Sequence, residues 1–484
     1  MTNRIHILRP PQWMVSYALT AYALSMLVVS LLYVSHMLPW YFMLAGIMAI
    51  LLFFVGSREI SRDLSVLRIM KHKRFERQLF WVAMVPRVVF MLLLYRVFMN
   101  HFGNPFGFDN ADSVTYDTIG KFVADQITHG DFHLYDRIVQ WSGREDISDM
   151  GYGMYLGVIY AITGKSIMAV RLLKCVWSSL TVLFIYRLAR RNFGEQTARV
   201  AAIFCALWPN FWYYCAVHLK ESEMVFLSVL FVEQADQMLR SRQFTAWKVI
   251  PVLLIAALLF TFRTPLGLVA LLALLFSLVM SSTRVVTWGK RVIVGLLAVA
   301  LIGVVAGTRI EERANTLIEQ VRDNEQQHSL EWRSQREHGN MFAKYAGSAV
   351  FAPMILTLPF PTMVRPFDGQ DIQQLNHGGN FIKNIMSFFT ILAIIMLLIS
   401  GKWRDNLLPL SFMLGYLLVL TMSNFAHSER FHQPAMPFEF MFAAYGVGIA
   451  LTKKKYKSWF TYWCMIMFVA AIAWNWFKMA GRGL

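Results

Sequence analysis

Acid is scarce in this chain. Only 29 of its 484 residues are Asp or Glu, against 46 Lys and Arg. All charged residues together make up 15%, while 57% are hydrophobic and the mean hydropathy is +0.46. A soluble globular protein carries about a quarter charged residues. The deficit excludes an ordinary water-exposed surface and points to lipid as the surrounding solvent. Cysteine is scarce too. Cys175, Cys205, Cys215 and Cys464 lie in or beside apolar runs with no pairing or metal-ligand spacing. They read as small core residues, which excludes a disulfide framework. No Asn-x-Ser/Thr sequon occurs, which fits a bacterial source. No cleavable signal peptide is read either: residues 3–12 are polar, and the apolar stretch after them is long enough to span.

What the chain has in quantity is long apolar runs. A spanning helix needs about 20 largely apolar residues. Spans are expected at 14–34, 38–56, 79–98, 166–186, 197–216, 223–239, 249–263, 265–281, 291–307, 384–400, 406–422, 437–452 and 458–477, about thirteen in all. The links "SREISRDLSVLRIMKHKRFER", "RLARRNFG", "RSRQFTAWK", "STRVVTWGKR", "GKWRDN" and "KKKYKS" are short and rich in Lys and Arg. Counting spans puts all of them on one side, together with Arg4 and Arg9. That is the positive-inside pattern and predicts a cytoplasmic N-terminus. The net charge of +17 is then a topological signal and needs no nucleic-acid partner.

The opposite face carries two long segments, 99–165 and 308–383, and short links at 218–222 and 424–437. Loops of such length in a compact protein are usually functional. The first contains "FGFDNADSVTYDTIGKFVADQ", with Asp109, Asp112, Asp117 and Asp125. From Asp112 onward, Val114, Ile119, Phe122, Val123 and Ile127 form an apolar stripe, with Asp117, Lys121 and Asp125 elsewhere on the wheel. This predicts a helix lying in the interface. A second is expected at 152–164, apolar but too short to cross. Asp109 or Asp112 could serve as a general base towards an acceptor, or simply cap the helix.

Glu221, in "AVHLKESEM" beside Lys220, reads alone as part of a polar hairpin between spans. Sharing a face with Asp112, it also reads as part of one site, because charge at such depth is costly and often functional. Arg430, with His427 and His432, could clamp a phosphate through its planar fork, or pair with Glu429. Arg263 in "FTFRTPLGL" admits the same two readings. In the second long segment, Ile310, Ala314, Leu317, Ile318 and Val321 predict a surface helix, and the four prolines of 351–369 predict an extended or re-entrant return.

The order of these elements resembles the GT-C membrane glycosyltransferases, in particular bacterial relatives of the dolichyl-phosphate-mannose protein mannosyltransferases and of the aminoarabinose lipid A transferases. The resemblance covers roughly 79–281 and 424–450 and rests on "VPRVVFMLLLYRV", "ADSVTYDTIGKFVADQITHGDF", the run from "DMGYGMYLGVIYAITGKS" through "LARRNFG" and "LWPNFWYYCAVHLKES", "FRTPLGL" and "ERFHQPAMPFEFMFAAYG". It implies an all-α polytopic fold, a GT-C-like bundle with interfacial helices in its first large non-cytoplasmic loop. The chain would divide into an extra N-terminal pair of spans (1–60), a basic link and first core span (61–98), the acidic outer loop (99–165), the core bundle (166–307), the second outer loop (308–383) and the C-terminal spans (384–484).

The implied activity is transfer of a sugar from a polyprenyl-phosphate donor to a glycan, lipid or protein acceptor, in the bacterial inner membrane and on its outer side. Asp112 would be the base with Asp109 as competitor, and Glu221 would match a later acid. Arg430, Arg263 and Lys220 would meet the donor phosphate, and Tyr116, His427 and His432 would position substrate. The family's adjacent Asp-Glu pair is missing here, and the Asp-x-x-Asp spacing of Asp109 and Asp112 would suit a divalent ion such as Mg or Mn. Two other classes compete: a surface-polysaccharide polymerase or ligase with a polyprenyl-diphosphate donor, and a transporter or flippase. A transporter usually carries midplane ionisable groups and repeated halves, and neither is apparent in this sequence.

Overall fold

The computed structural model describes residues 8–63, 72–107, 110–142, 150–241, 246–283, 352–365, 372–422 and 427–481, with a few isolated positions between 285 and 341. Among these, regular structure is helical apart from one isolated bridge between Met37 and Val364. Apolar runs of spanning length give α1 (Gln12–Leu32), α2 (Trp40–Asp63) and α3 (His72–Phe102). Three short helices follow: α4 (Asn110–Thr128), α5 (Leu134–Ser142) and α6 (Met150–Thr163). Then come α7 (Ile167–Phe193), α8 (Glu195–Leu207), α9 (Pro209–Ala216), α10 (Glu221–Arg240), α11 (Ala246–Phe262) and α12 (Thr264–Met280). The C-terminal part holds α13 (Ile372–Leu375), α14 (His377–Ile399), α15 (Leu407–Thr421), α16 (Glu429–His432), α17 (Met436–Ala450) and α18 (Lys455–Ala480).

The chain is a polytopic all-α membrane protein. Helices α1, α2, α3, α7, α14 and α18 are each long and apolar enough to cross a membrane. The expected span at 291–307 and the expected surface helix near 310–321 fall outside the described residues, isolated positions aside. The core is built by α7, α8, α10, α14 and α17, with α3 against α7, α1 against α18, and α11, α12 and α15 on the α10 side. One face of α3 shows Trp81, Val82, Val85, Val89, Leu92 and Leu93 to the outside. A row of exposed apolar side chains along a span is a lipid-facing surface, because only lipid makes that exposure cheap.

The basic links gather at one end. Arg9 bonds Glu59, Arg187 bonds Glu76, and Arg240 bonds Asn192 Oδ1 at 2.8 Å. The Ser282 amide meets the Arg404 carbonyl at 3.3 Å. These contacts join the basic links in pairs.

Two breaks shape the interior. Pro209 has no N–H for the Cys205 carbonyl, so the helix stops at Leu207 and restarts as α9. Arg87, fully buried in α3, takes over: its Nη2 donates to that carbonyl at 3.2 Å and its Nε to Ser178 at 2.9 Å. Trp212 Nε1 satisfies the Ala206 carbonyl at 2.7 Å. The second break is residues 357–364, buried without helical structure beyond the turn at Thr357. Such backbone survives inside a membrane protein only if its polar groups find partners. Asn384 donates to the carbonyls of Thr357 and Pro359, and Asn475 to that of Pro361 at 3.0 Å. Asn475 Oδ1 also accepts from the Met363 amide at 2.7 Å. Of the expected extended or re-entrant segment 351–369, residues 357–364 thus run buried and without helix.

Candidate active site

Helix α4 carries the acidic stretch and lies flat on α6 because glycine lets it. An added Cβ at Gly153 would stand 2.4 Å from Ile119, at Gly157 2.2 Å from Val123, and at Gly120 2.7 Å from Leu156. Of the expected apolar stripe, Ile119 and Val123 are buried and Phe122 and Ile127 pack against them, while Val114 is exposed; Ser113, Tyr116, Asp117, Gly120 and Ala124 are buried as well. Asp117 is buried because it is fully engaged. The Tyr160 hydroxyl donates to it at 2.6 Å, and the Lys121 ammonium lies 2.7 Å away. His218 Nε2 approaches the same tyrosine at 3.2 Å. Burial, with Lys174 nearby, holds His218 well below its ordinary pKa, hence as a neutral ring at pH 7. This group pins α4 to α6 and to the 217–220 link.

With α4 pinned, Asp112 in its first turn faces α10 and α16. Asp112 lies two residues inside the helix, so it is not the cap. Arg430, from α16, donates through Nη1 to Asp112 and through Nε to Glu221, the first residue of α10. The two acids thus share one guanidinium. Side-chain exposure falls from 52% at Asp112 to 16% at Arg430 and 1% at Glu221, so the cluster opens on the Asp112 side. Burial pulls the Arg430 guanidinium down, but Glu221 and Asp112 outweigh it and hold it charged, well above its usual pKa.

Two further cations stand around this core. Lys220 Nζ donates to the Phe262 carbonyl at 3.1 Å and sits 5.8 Å from the Tyr116 ring centre. Burial, then the charge of Arg263, lowers Lys220 to about 7. The Arg263 guanidinium stacks 4.0 Å over Phe431, a ring that also has Arg430 at 6.0 Å. Its buried Nη1 has no hydrogen-bond partner among the described residues. Tyr116 closes the group; burial, with Glu221 adding, pushes its phenol up to about 12. Six residues singled out in the sequence, Asp112, Glu221, Arg430, Lys220, Arg263 and Tyr116, therefore meet in one place.

Of the other three, Asp109 lies outside the described residues. His427 sits in the turn before α16. His432 is buried, with the Lys383 ammonium 2.7 Å from its Nδ1. Sequence reasoning passed over Asp117, Tyr160, His218 and Glu429. Glu429 had been read only as a partner for Arg430, but Asn376 and Tyr214 take its Oε1, the latter at 3.1 Å. Apart from Lys121, one turn after Asp117, their partners are distant in the chain, so spacing does not mark them. No group of three His, Cys, Asp or Glu converges as a metal centre among the described residues.

The fold is thus a polytopic all-α bundle in which the start of α10, the first turn of α4 and α16 bring an acid–arginine cluster together. The model of the dolichyl-phosphate-mannose-protein mannosyltransferase family matches residues 152–307. That stretch contains Glu221, Lys220 and Arg263, and the match supports a membrane glycosyltransferase of GT-C type. No curated protein and no solved structure matches the chain.

Proposed function

We propose that this protein moves a sugar from a polyprenyl-phosphate donor to an acceptor on the non-cytoplasmic face, by one displacement with Asp112 as the base. The observation that carries the reading is the shared guanidinium: Arg430 holds Asp112 and Glu221 in one contact, with Arg263 and Lys220 beside them. Asp112 is the exposed member and can be reached from water, as an acceptor requires. It would take the acceptor's hydroxyl or amine proton as that atom forms its bond to the anomeric carbon. The bond from that carbon to phosphate oxygen breaks, and the lipid phosphate leaves with the electron pair. Charge neutralisation on the leaving oxygen is where a preorganised site gains most. Arg430 is already engaged by two carboxylates, so Arg263 and Lys220 are the cations best placed to meet the phosphate. The positive-inside links at the far end support the outward orientation of the site.

The test is sugar transfer by purified protein from a polyprenyl-phosphate donor, comparing wild type with Asp112→Asn, with and without a chelator. A general base contributes about 10²- to 10⁴-fold, so the variant should lose activity on that scale, and the product should have inverted anomeric configuration. Retained configuration, or an Asp112→Asn protein as active as wild type, would overturn the mechanism. Transfer only from a diphosphate-linked oligosaccharide would move the protein to the polymerase or ligase class. Loss on chelation, reversed by added divalent ion, would make the acidic stretch a metal site.

A further inference from the structure

The one-turn helix α16 carries four consecutive side chains, and its neighbours hold it from several sides. Glu429 accepts from Tyr214 of α9 and from Asn376 at the start of α14. Arg430 donates to Asp112 and Glu221. His432 has the Lys383 ammonium 2.7 Å from its Nδ1. Phe431 is fixed through its backbone: its amide donates to the Ser428 carbonyl at 3.2 Å, and the Tyr416 hydroxyl of α15 donates to its carbonyl at 2.9 Å. The chemistry proposed above gives the Phe431 ring no part.

That ring nevertheless has both arginines of the site within cation–π range, Arg263 at 4.0 Å from its centre and Arg430 at 6.0 Å. Two guanidinium groups gathered at one point repel, and the negative face of an aromatic ring offsets the repulsion. The two are not held alike. Arg430 is anchored by two carboxylates, whereas the Arg263 guanidinium lies flat on Phe431. Stacking occupies the face of a guanidinium and leaves its N–H edge for an anion. Consistent with that, Arg263 Nη1 has no hydrogen-bond partner among the described residues. Arg263 and Phe431 are each only partly buried, so this cation does not lie in a sealed interior.

We propose that Phe431 is a positioning residue for the donor phosphate: its ring, fixed by α16 and Tyr416, holds the Arg263 guanidinium by the face and so sets its N–H edge for the phosphate oxygens. The proposal rests on the donor reading above and adds to it the group that orients the cation.

The experiment measures equilibrium binding of undecaprenyl phosphate by the full-length protein. It compares wild type with Phe431→Leu, which keeps apolar bulk without a π face, with Phe431→Tyr, which keeps the π face, with Arg263→Gln, and with the double variant Phe431→Leu/Arg263→Gln. Phe431→Leu should weaken binding roughly five- to thirtyfold, the worth of a cation–π contact at a partly desolvated site. Phe431→Tyr should restore most of that affinity. In the Arg263→Gln background the Leu substitution should weaken binding by less than about twofold, because the cation that the ring orients is already gone. A ring that serves packing alone would instead cost the same in both backgrounds, and that result overturns the proposal. Phe431→Leu binding as wild type does, or Phe431→Tyr binding no better than Phe431→Leu, overturns it as well and leaves the donor reading standing. If wild type does not bind undecaprenyl phosphate, the donor reading fails and this proposal with it. Phe431→Met, unbranched and without a π face, repeats the comparison should Phe431→Leu not fold.

Discussion

Arg430→Gln is the sharpest test of the shared guanidinium. The substitution keeps the polar end and removes the charge. Glu221, 1% exposed, then keeps a buried carboxylate without the guanidinium that bonds it. Breaking a buried pair by removing one partner costs about 3–5 kcal/mol. Asp112 is 52% exposed, and its half of the pair is worth about 0–1 kcal/mol. Arg430 itself keeps 16% exposure, so water shares in the compensation and the lower end applies, about 3 kcal/mol. Chemical unfolding of the detergent-solubilised protein reads this directly. Asp112→Asn should cost less than about 1 kcal/mol, since an exposed partner is lost. The double variant Glu221→Gln/Arg430→Gln should be more stable than Arg430→Gln alone, because no buried charge is left unpaired. A coupling of roughly 2 kcal/mol is expected for residues in one ion-pair network. An Arg430→Gln protein no less stable than Asp112→Asn, or absence of coupling with Glu221, would refute the argument.

Two further outcomes follow from the geometry. Lys220 stands at about 7 in the free protein, and a bound phosphate would raise it. A group whose pKa is raised on binding strengthens binding fully below its free value, and that gain is lost as pH rises through the bound value. Donor affinity should therefore weaken above pH 7 in wild type, and Lys220→Gln should flatten the profile; an unchanged profile in the variant would remove Lys220 from the phosphate site. Asn475→Leu would strand the Met363 amide and the Pro361 carbonyl inside the bundle. At about 1–3 kcal/mol for each of the two buried groups left unmade, it should cost about 2–6 kcal/mol in thermal or chemical unfolding. A loss below about 1 kcal/mol would mean that water or another donor serves that segment.

Much of the architecture was legible because hydropathy is local. Twenty apolar residues must form a helix in lipid, since no other conformation satisfies the backbone there. The clustering of basic links depends on counting spans, and the contacts Arg9–Glu59, Arg187–Glu76 and Arg240–Asn192 follow that count. The α4 stripe was legible at Ile119, Phe122, Val123 and Ile127, but the burial of Asp117 beside it was not. Lys121 is a local i+4 partner, whereas nothing local tells that Tyr160, 43 residues on, would take Asp117 inside. Glu429 was misassigned for the same reason: a neighbour in sequence looked like a partner, while Asn376 and Tyr214 were far away in the chain and close in space.

By itself, then, the sequence determined a helical membrane protein, its basic end, and the residue types gathered at the other end, because composition and periodicity are properties of short segments. Only the tertiary structure decided that Asp112 and Glu221 share Arg430, that Arg263 Nη1 is buried without a partner among the described residues, and that Tyr214 and Asn376 bond Glu429. Those arrangements depend on how α4, α9, α10, α14 and α16 pack, which is set by close glycine contacts and buried polar pairs between residues tens to hundreds of positions apart.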